Sequence, residues 1–421
     1  MARFLSFLPG RSENRTTGIR TKKKTMNPLI LIFFCLLFIP FYAYIGYGIL
    51  LFIIIRIRRM GGWGKRPVSD PDYEPEVTLL IPAYNEKAYV DAKIRNSREL
   101  DYPAEKLKIV WITDGSDDGT PDEIRKYEGV SVLHVPQRNG KIGAMNRGMK
   151  LVTTPIVVFS DANTMLGKES VRRIVRLFGD PKVGCVSGEK RIISQEADTA
   201  AGSGEGLYWK YESTLKKWDA ELHSVVGAAG ELFAIRTHLY REVEKDTLLD
   251  DFIISLRVAQ EGYTIQYDPE AFAIESASAS VEEEMKRKVR ISAGGIQSVV
   301  RLRSLLNIFR YGTLSFQYIS HRVLRWTLAP VSLLLMLPVG FFIALENGLF
   351  QPGWAGLLFW LQVIFYLAAL AGWYFENRKI RFKLLFVPYY FFIMNISVFL
   401  GFRRYLKGSQ SVNWVRAQRA G

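Results

Sequence analysis

Cysteine is nearly absent, with two residues in 421, Cys35 and Cys185. Cys35 lies in an apolar run and Cys185 in a segment patterned as a buried strand. Neither a disulfide framework nor a cysteine metal site is indicated. That scarcity fits a reducing compartment for the soluble part of the chain. Internal repeats and low-complexity segments are also lacking. The central region has no basic excess, although the formal charge of the chain is +15. Residues 1–25 hold seven Lys/Arg against one acid; Arg56, Arg58, Arg59, Lys65 and Arg66 add five positive charges; residues 376–421 hold nine Lys/Arg against Glu376. Residues 67–375 are left at −4. Basic residues that flank apolar segments indicate anchorage beside anionic headgroups. A nucleic-acid binder would carry a basic face on the domain itself, and no nucleic-acid partner is expected.

Pro28 to Ile55 is a run of 28 residues without a charge, closed by Arg56, Arg58 and Arg59. About 20 apolar residues span a bilayer, so residues 28–55 are expected to form a transmembrane helix, with Pro40 as a candidate kink. The run is too long for a signal peptide, and no small-residue cleavage site follows it. Residues 1–27 read as a basic arm, with Met26 as an alternative start. About three further spans are expected in 326–402, near Trp326–Leu345, Trp354–Phe375 and Leu384–Phe402, followed by a basic tail at 403–421. Residues 286–325 are basic and amphipathic. They read as helices on the membrane surface, with an ordinary solvated helix pair as the alternative.

Between these membrane segments, residues 72–285 alternate apolar runs with helical patterns. Strands are expected at Val77–Ile81, Lys108–Thr113, Val130–Val135, Ile156–Ser160 and Val183–Ser187. Helices are expected at Glu86–Leu100, from Thr120 with Thr as cap and Pro121 in the first turn, at Gly140–Leu151 and at Lys168–Phe178. The alternation predicts an α/β domain with a doubly wound, mostly parallel sheet.

Ligands of such sheets bind beyond the carboxyl ends of the strands. Asp114 in TDGSDDGT and Asp161 in FSDANT stand at two such ends. Together they could hold a nucleotide and a divalent metal, Mg²⁺ or Mn²⁺, through hard oxygen ligands. Each could instead cap a turn. Asn139-Gly140-Lys141 opens a helix and could meet a phosphate. Asp251, beside Phe252, is a candidate for proton transfer, with helix capping as the alternative, above all for Asp250.

The order of these pieces resembles the family 2 glycosyltransferases, in the branch of cellulose, hyaluronan and poly-N-acetylglucosamine synthases. VTLLIPAYNE resembles the opening strand and P-x-Y-N-E turn. TDGSDDGT resembles the nucleotide loop, and NGKIGAMNRG the G-K-x-x-A-x-N-x-G segment. FSDANT stands where D-x-D is expected. GAAGELFAIR resembles the acceptor-side Gly-rich segment, and DDFIISLRVAQEGYTIQYDPEA the E-D motif and its helix. The resemblance spans roughly residues 75–300. It implies a GT-A type nucleotide-sugar domain inserted between transmembrane helices, and an inverting transfer from a UDP-sugar to a glycan or lipid acceptor in envelope or exopolysaccharide synthesis.

Further roles follow from the resemblance alone. Tyr84, Glu86, Asp114, Lys141, Asp161 and Arg290 would serve the donor. Asp114 would meet the uridine, Lys141 the diphosphate and Arg290 a phosphate. Asp161 and Asn163 would hold the metal. Gly230, Glu231 and Asp250 would lie on the acceptor side, and Asp251 would be the general base. The catalytic domain would face the cytosol of a bacterial plasma membrane. Two departures stand out. The second position of D-x-D is Asn163, which brings no charge. The Q-x-x-R-W pattern of processive synthases is replaced at Arg287 to Ile291, with Arg for Gln and Ile for Trp, which points to short products or single-sugar transfer. Trp209, Trp218 or Tyr208 are alternative sources of the missing ring. A lipid-glycosylating enzyme shares the same residues. A membrane scaffold or transport component with a decayed domain is a third reading; the intact Asp114, Lys141, Asp161 and Asp251 oppose it. If the last span crosses fully, the basic tail falls outside, against the positive-inside preference. A re-entrant last segment would remove that conflict.

Overall fold

A computed structural model describes residues 28–62, 70–193, 200–276, 281–350, 353–378 and 383–408. The basic arm at 1–27 and the tail beyond 408 lie outside these described residues. The helices α1 (Pro28–Phe41) and α2 (Tyr47–Met60) lead into the α/β domain. That domain runs β1 (Val77–Ala83), α3 (Lys87–Arg98), β2 (Leu107–Asp114), α4 (Thr120–Arg125), β3 (Val130–Val135), α5 (Gly140–Met149), β4 (Ile156–Ser160), β5 (Met165–Leu166) and α6 (Ser170–Val175). It continues with β6 (Val183–Ile193), α7 (Ala200–Leu222), β7 (Leu232–Arg236), α8 (Asp250–Gln260) and β8 (Thr264–Ser276). The long helix α9 (Val281–Arg301) and the short α10 (Ile308–Tyr311), α11 (Thr313–Tyr318) and α12 (Leu324–Trp326) precede α13 (Leu328–Glu346), α14 (Trp354–Asn377) and α15 (Lys383–Leu406).

One eight-stranded sheet has the order β3-β2-β1-β4-β7-β6-β8-β5. Every residue of β1 is buried, as expected of a parallel strand covered on both faces. Alternate side chains of β1 enter different cores. Leu80 packs with Ile112, Val157 and Phe233 on one side of the sheet, while Leu79 and Ile81 pack with Trp111, Val158 and Ile94 on the other. This is the doubly wound arrangement expected from the alternation, in the GT-A-like form that the resemblance implied. The sheet is mixed yet mostly parallel, as expected, because the β6–β8 pairing is parallel as well and only β5 and β7 run against the other six strands. The β1, β2, β3 and β4 pairings are parallel. β7 runs antiparallel to both β4 and β6, and β5 antiparallel to β8. An apolar run carries no signature of its direction, so this reversal is a tertiary property. Thr120 does not cap α4 either: Gly119, at φ 85°, takes that position, and the Thr120 hydroxyl accepts from the Glu86 amide.

The first apolar run is helical to Met60, past the expected end at 55, and a π-turn at Tyr42–Gly46 interrupts it. Pro40 has no N–H to donate to the preceding turn, and π-turns re-register a helix without breaking it. The turn turns carbonyls outward. Ala43 O accepts from Arg325 and Tyr44 O from Tyr211. Beyond it, α2 lies on α7, with Gly48 against Tyr211 and Leu215. Among the described residues, four helical stretches are long and apolar enough to cross a membrane: Pro28–Met60, Leu328–Glu346, Gly356–Glu376 and Leu384–Leu406. The amphipathic α9 begins before the expected boundary at 285/286. One side of it meets α15, with Gly401 against Ser292 and Ala293; another presents Gly294 to Leu249 and Gly295 to the ring of Trp326.

Candidate active site

Two loops at the carboxyl end of the sheet are laced together. The side chain of Asn85, at φ 53°, donates to Asp117 (2.7 Å) and accepts from the Asp117 amide (3.0 Å). The Lys87 amide donates to Asp118. Tyr84 lies in this loop with the Arg138 guanidinium 3.6 Å over its ring, a cation–π contact. Glu86 is buried in the same loop, with its amide donating to the Thr120 hydroxyl.

Asp114 ends β2 and is 1% exposed. Its Oδ2 accepts from the Asn139 amide and its Oδ1 from Arg147, both at 2.8 Å. Both carboxylate oxygens are thus engaged within the chain. Asp114 fastens the start of α5, where Gly140 adopts φ 78°, a conformation that costs glycine little. That start delivers Lys141.

Lys141 stands among carboxylates from separate elements. Its Nζ lies 2.7 Å from Asp161, just past β4, and 3.5 Å from Asp250, the first residue of α8. Burial works to lower the Lys141 pKa, but Asp161 and Asp250 outweigh it and hold the ammonium charged. Burial raises the Asp161 carboxyl, against the pull of Lys141. Asp251 is pushed up to about 7, first by burial and then by the neighbouring Asp250. Two adjacent carboxyls in a partly dry site resist joint ionisation. Gly230 explains the Gly-rich segment, because a Cβ there would lie 3.1 Å from Asp251 Oδ2. Glu231 is held by Lys190 at 2.6 Å. Burial opposes its ionisation, but Lys190 prevails and brings it to about 2.

Asp161, Lys141, Asp250, Asp251, Gly230 and Glu231 thus come together as one cluster. Asn163 is two residues beyond Asp161 in the same turn and is partly exposed. Among the described residues no three His, Cys, Asp or Glu side chains form a metal-ligand group. The protein's share of a divalent site would be the Asp161 carboxylate and the Asn163 amide oxygen, hard donors that suit Mg²⁺ or Mn²⁺. Arg290 is exposed on α9. Arg287 instead stands near Glu231 and Glu275, and is paired with Glu284 at 2.9 Å. Trp218 packs on Phe52 of α2, away from the cluster, and the Tyr208 side chain is outside the described residues. Trp326, in contrast, meets Phe252 edge-on, with ring centres 5.2 Å apart.

Three residues of this region were not anticipated. Lys190, on β6, joins Glu231 to Glu275; its signal was a charged Glu-Lys pair inside an apolar strand. Glu275, on β8, is buried. Lys93, on α3, is fully buried and donates to Ser160 Oγ and to Thr164 O, each at 2.7 Å. It grips the Asp161–Asn163 turn from behind. Burial lowers its pKa to about 7, against the pull of Asp161.

The sequence profile described as "Glycosyltransferase like family 2" matches residues 75–294. Poly-beta-1,6-N-acetyl-D-glucosamine synthase of Staphylococcus aureus (strain COL) is 25% identical over 245 residues, covering 56% of this chain and 58% of that protein. The probable glycosyltransferase YdaM of Bacillus subtilis (strain 168) is 27% identical over 252 residues, with the same shares. The match thus spans 58% of the length of these curated relatives. Among solved structures, the mannosyltransferase PcManGT from Pyrobaculum calidifontis, in complex with GDP-Man and Mn2+, shares the fold. Its TM-score is 0.68 at 20% identity, over 91% of this chain and 100% of that one. The profile covers just over half of the chain, from the first strand of the sheet into α9, and the chain belongs to the family 2 glycosyltransferases.

Proposed function

We propose that this is an integral membrane enzyme that transfers a sugar from a UDP-sugar to a glycan or lipid-linked acceptor, with inversion, in exopolysaccharide or envelope glycan synthesis. The domain at about 72–285 carries the reaction and faces the cytosol, where nucleotide sugars are supplied. The observation that carries this reading is the Asp251 carboxyl, raised to about 7 beside Asp250 and facing the side-chain-free Gly230. A carboxyl poised there can take a proton at neutral pH.

In this reading the acceptor hydroxyl enters over Gly230 and gives its proton to Asp251. Its oxygen attacks the anomeric carbon from the face opposite the diphosphate. The carbon–oxygen bond to the diphosphate breaks, UDP leaves, and an α-linked donor yields a β-linked product. Lys141 exchanges its carboxylate partners for the diphosphate, a charge-assisted contact. Asp161 and Asn163 would hold Mg²⁺ or Mn²⁺, which supplies Lewis-acid stabilisation of the leaving group. Tyr84, beneath Arg138, gives a flat face near the nucleotide loops.

Transfer of a single sugar to a lipid carrier or headgroup is the second reading. Arg287 favours it, because a guanidinium near the site suits a phosphate and Ile291 offers no flat ring for a growing glycan. Purified protein in membranes, given a panel of nucleotide sugars, should yield a mass-defined product. Calorimetry should show UDP binding strengthened by Mn²⁺ or Mg²⁺; no UDP binding with either metal would end this assignment. Products from the enzyme alone should be short, and a ladder reaching long chains would establish processivity instead.

A further inference from the structure

The last apolar helix, α15, is 24 residues long, about 36 Å at 1.5 Å per residue and enough to cross a bilayer. Its neighbours argue against a crossing. Arg325 lies three residues before α13 and donates to Ala43 O at 2.9 Å. The next residue, Trp326, lies on Gly295 of α9. Arg325 and Trp326 therefore mark the level at which α13 leaves the catalytic domain.

α15 returns to that level at two widely separated points. Tyr44, adjacent to Ala43, meets the ring of Phe391 at 5.0 Å and donates to Asn395 at 2.8 Å. Gly401 presses on Ser292 and Ala293, directly before Gly294-Gly295. Between these points Ser397 Oγ is 3.2 Å from Ser292 Oγ. Ten residues of helix rise about 15 Å. A helix standing along the membrane normal would carry Gly401 that far from the level of Phe391.

The first half of α15 packs on α14, with Gly372 against Leu385 and Tyr389, but its company on the α9 side is wrong for a hydrocarbon core. Along the same stretch α9 bears Glu283, Glu284, Lys286, Arg287, Lys288 and Arg290. Charges of that density are costly at membrane depth. α9 is itself bound to the catalytic domain, with Gln297 donating to Asp246 O and accepting from the Leu248 amide. One face of α15, with Phe386, Tyr389 and Ile393, is buried; another, with Leu384, Val387, Phe402 and Leu406, is exposed. Arg403 and Arg404 close the helix. An apolar stripe ending in basic residues fits the headgroup–acyl boundary of a bilayer containing anionic lipid.

We infer that α15 lies in the membrane surface on the catalytic side, so that three of the four long apolar stretches among the described residues cross the bilayer and Arg403 and Arg404 stay on the side of the catalytic domain. The partner of the exposed stripe is the lipid surface itself. This layout also removes the conflict between the tail's charge and the positive-inside preference. It rests on packing alone and holds whether or not the proposed reaction is correct.

The test is relative sidedness in the full-length protein. Single cysteines are placed by Gln351→Cys, Lys379→Cys and Ser411→Cys in a background with Cys35 and Cys185 replaced. Each is treated with a membrane-impermeant maleimide in intact and in permeabilised cells. Residues 379 and 411 should label on one side and residue 351 on the other. Labelling of 411 on the side of 351 overturns the inference. Green fluorescent protein fused after Phe375 or after Gly421 gives an independent reading without the cysteine background. Both fusions should report the same side, and opposite sides overturn the inference.

Discussion

The ammonium of Lys141 lies 2.7 Å from Asp161 and 3.5 Å from Asp250. Residues assigned to the diphosphate, the metal and the acceptor side thus already neutralise one another within the chain. Donor binding must exchange these contacts, and the first prediction concerns that exchange. Asp161→Ala should abolish the strengthening of UDP binding by Mn²⁺, with metal-free UDP binding largely retained. Calorimetry with and without metal measures both. A metal effect of wild-type size would remove Asp161 from the metal site.

Asp251→Asn keeps the shape of the carboxyl but cannot take a proton. Turnover should fall by about 10²–10⁴-fold, the usual contribution of a positioned base, while UDP binding persists. Asp250→Asn should be milder. Near-normal turnover in the Asp251 variant would move the base elsewhere.

The pH profile follows from the same carboxyl. Asp251 must be ionised to act, and its pKa stands near 7, so kcat/KM should rise with pH through about 7 and level off above it. The stability sign is the reverse. The folded pKa is raised above that of the unfolded chain, so the protonated form favours the fold, and this contribution fades as pH rises from about 4 to about 7. Asp250→Asn removes the like charge next door and should move the activity limb to lower pH. An unmoved limb would show that Asp250 does not set it.

Gly230→Ala places a methyl group 3.1 Å from Asp251 Oδ2, tighter than ordinary contact. The carboxyl or the Gly-rich segment must shift. Loss of turnover is expected with little change in UDP affinity or melting temperature, read by kinetics and thermal unfolding. Full activity would show that the segment has room to give.

Asp114→Ala leaves Arg147 and the Asn139 amide without their buried acceptor. Orphaned donors of this kind cost about 1–3 kcal/mol, so the melting temperature should drop. Donor binding should weaken because the start of α5, and Lys141 with it, loosens. Unchanged stability with lost UDP binding would instead show that Asp114 meets the nucleotide directly.

Much of the domain was written in local pattern. β3 and β4 follow their apolar runs, and Asp161 stands just beyond a strand end because a carboxylate favours the turn that closes a buried run. Asp250 and Asp251 open α8 as the pattern indicated. The long charge-free stretches are equally local facts. Other features depend on partners far away in the chain. Only the packed sheet reversed β7 between β4 and β6. Asp114 was spoken for by Arg147, 33 residues on. That Arg287 stands near Glu231 while Arg290 is exposed depends on which face of α9 turns inward. Lys93 and Lys190 are charges inside the domain, and nothing in their own segments names the oxygens that satisfy them. Length and mean apolarity alone do not separate an apolar helix that crosses a bilayer from one that lies along it, because both can reach the length of a span. In α15, the contacts with Tyr44 and Ser292 are what the inferred surface placement rests on.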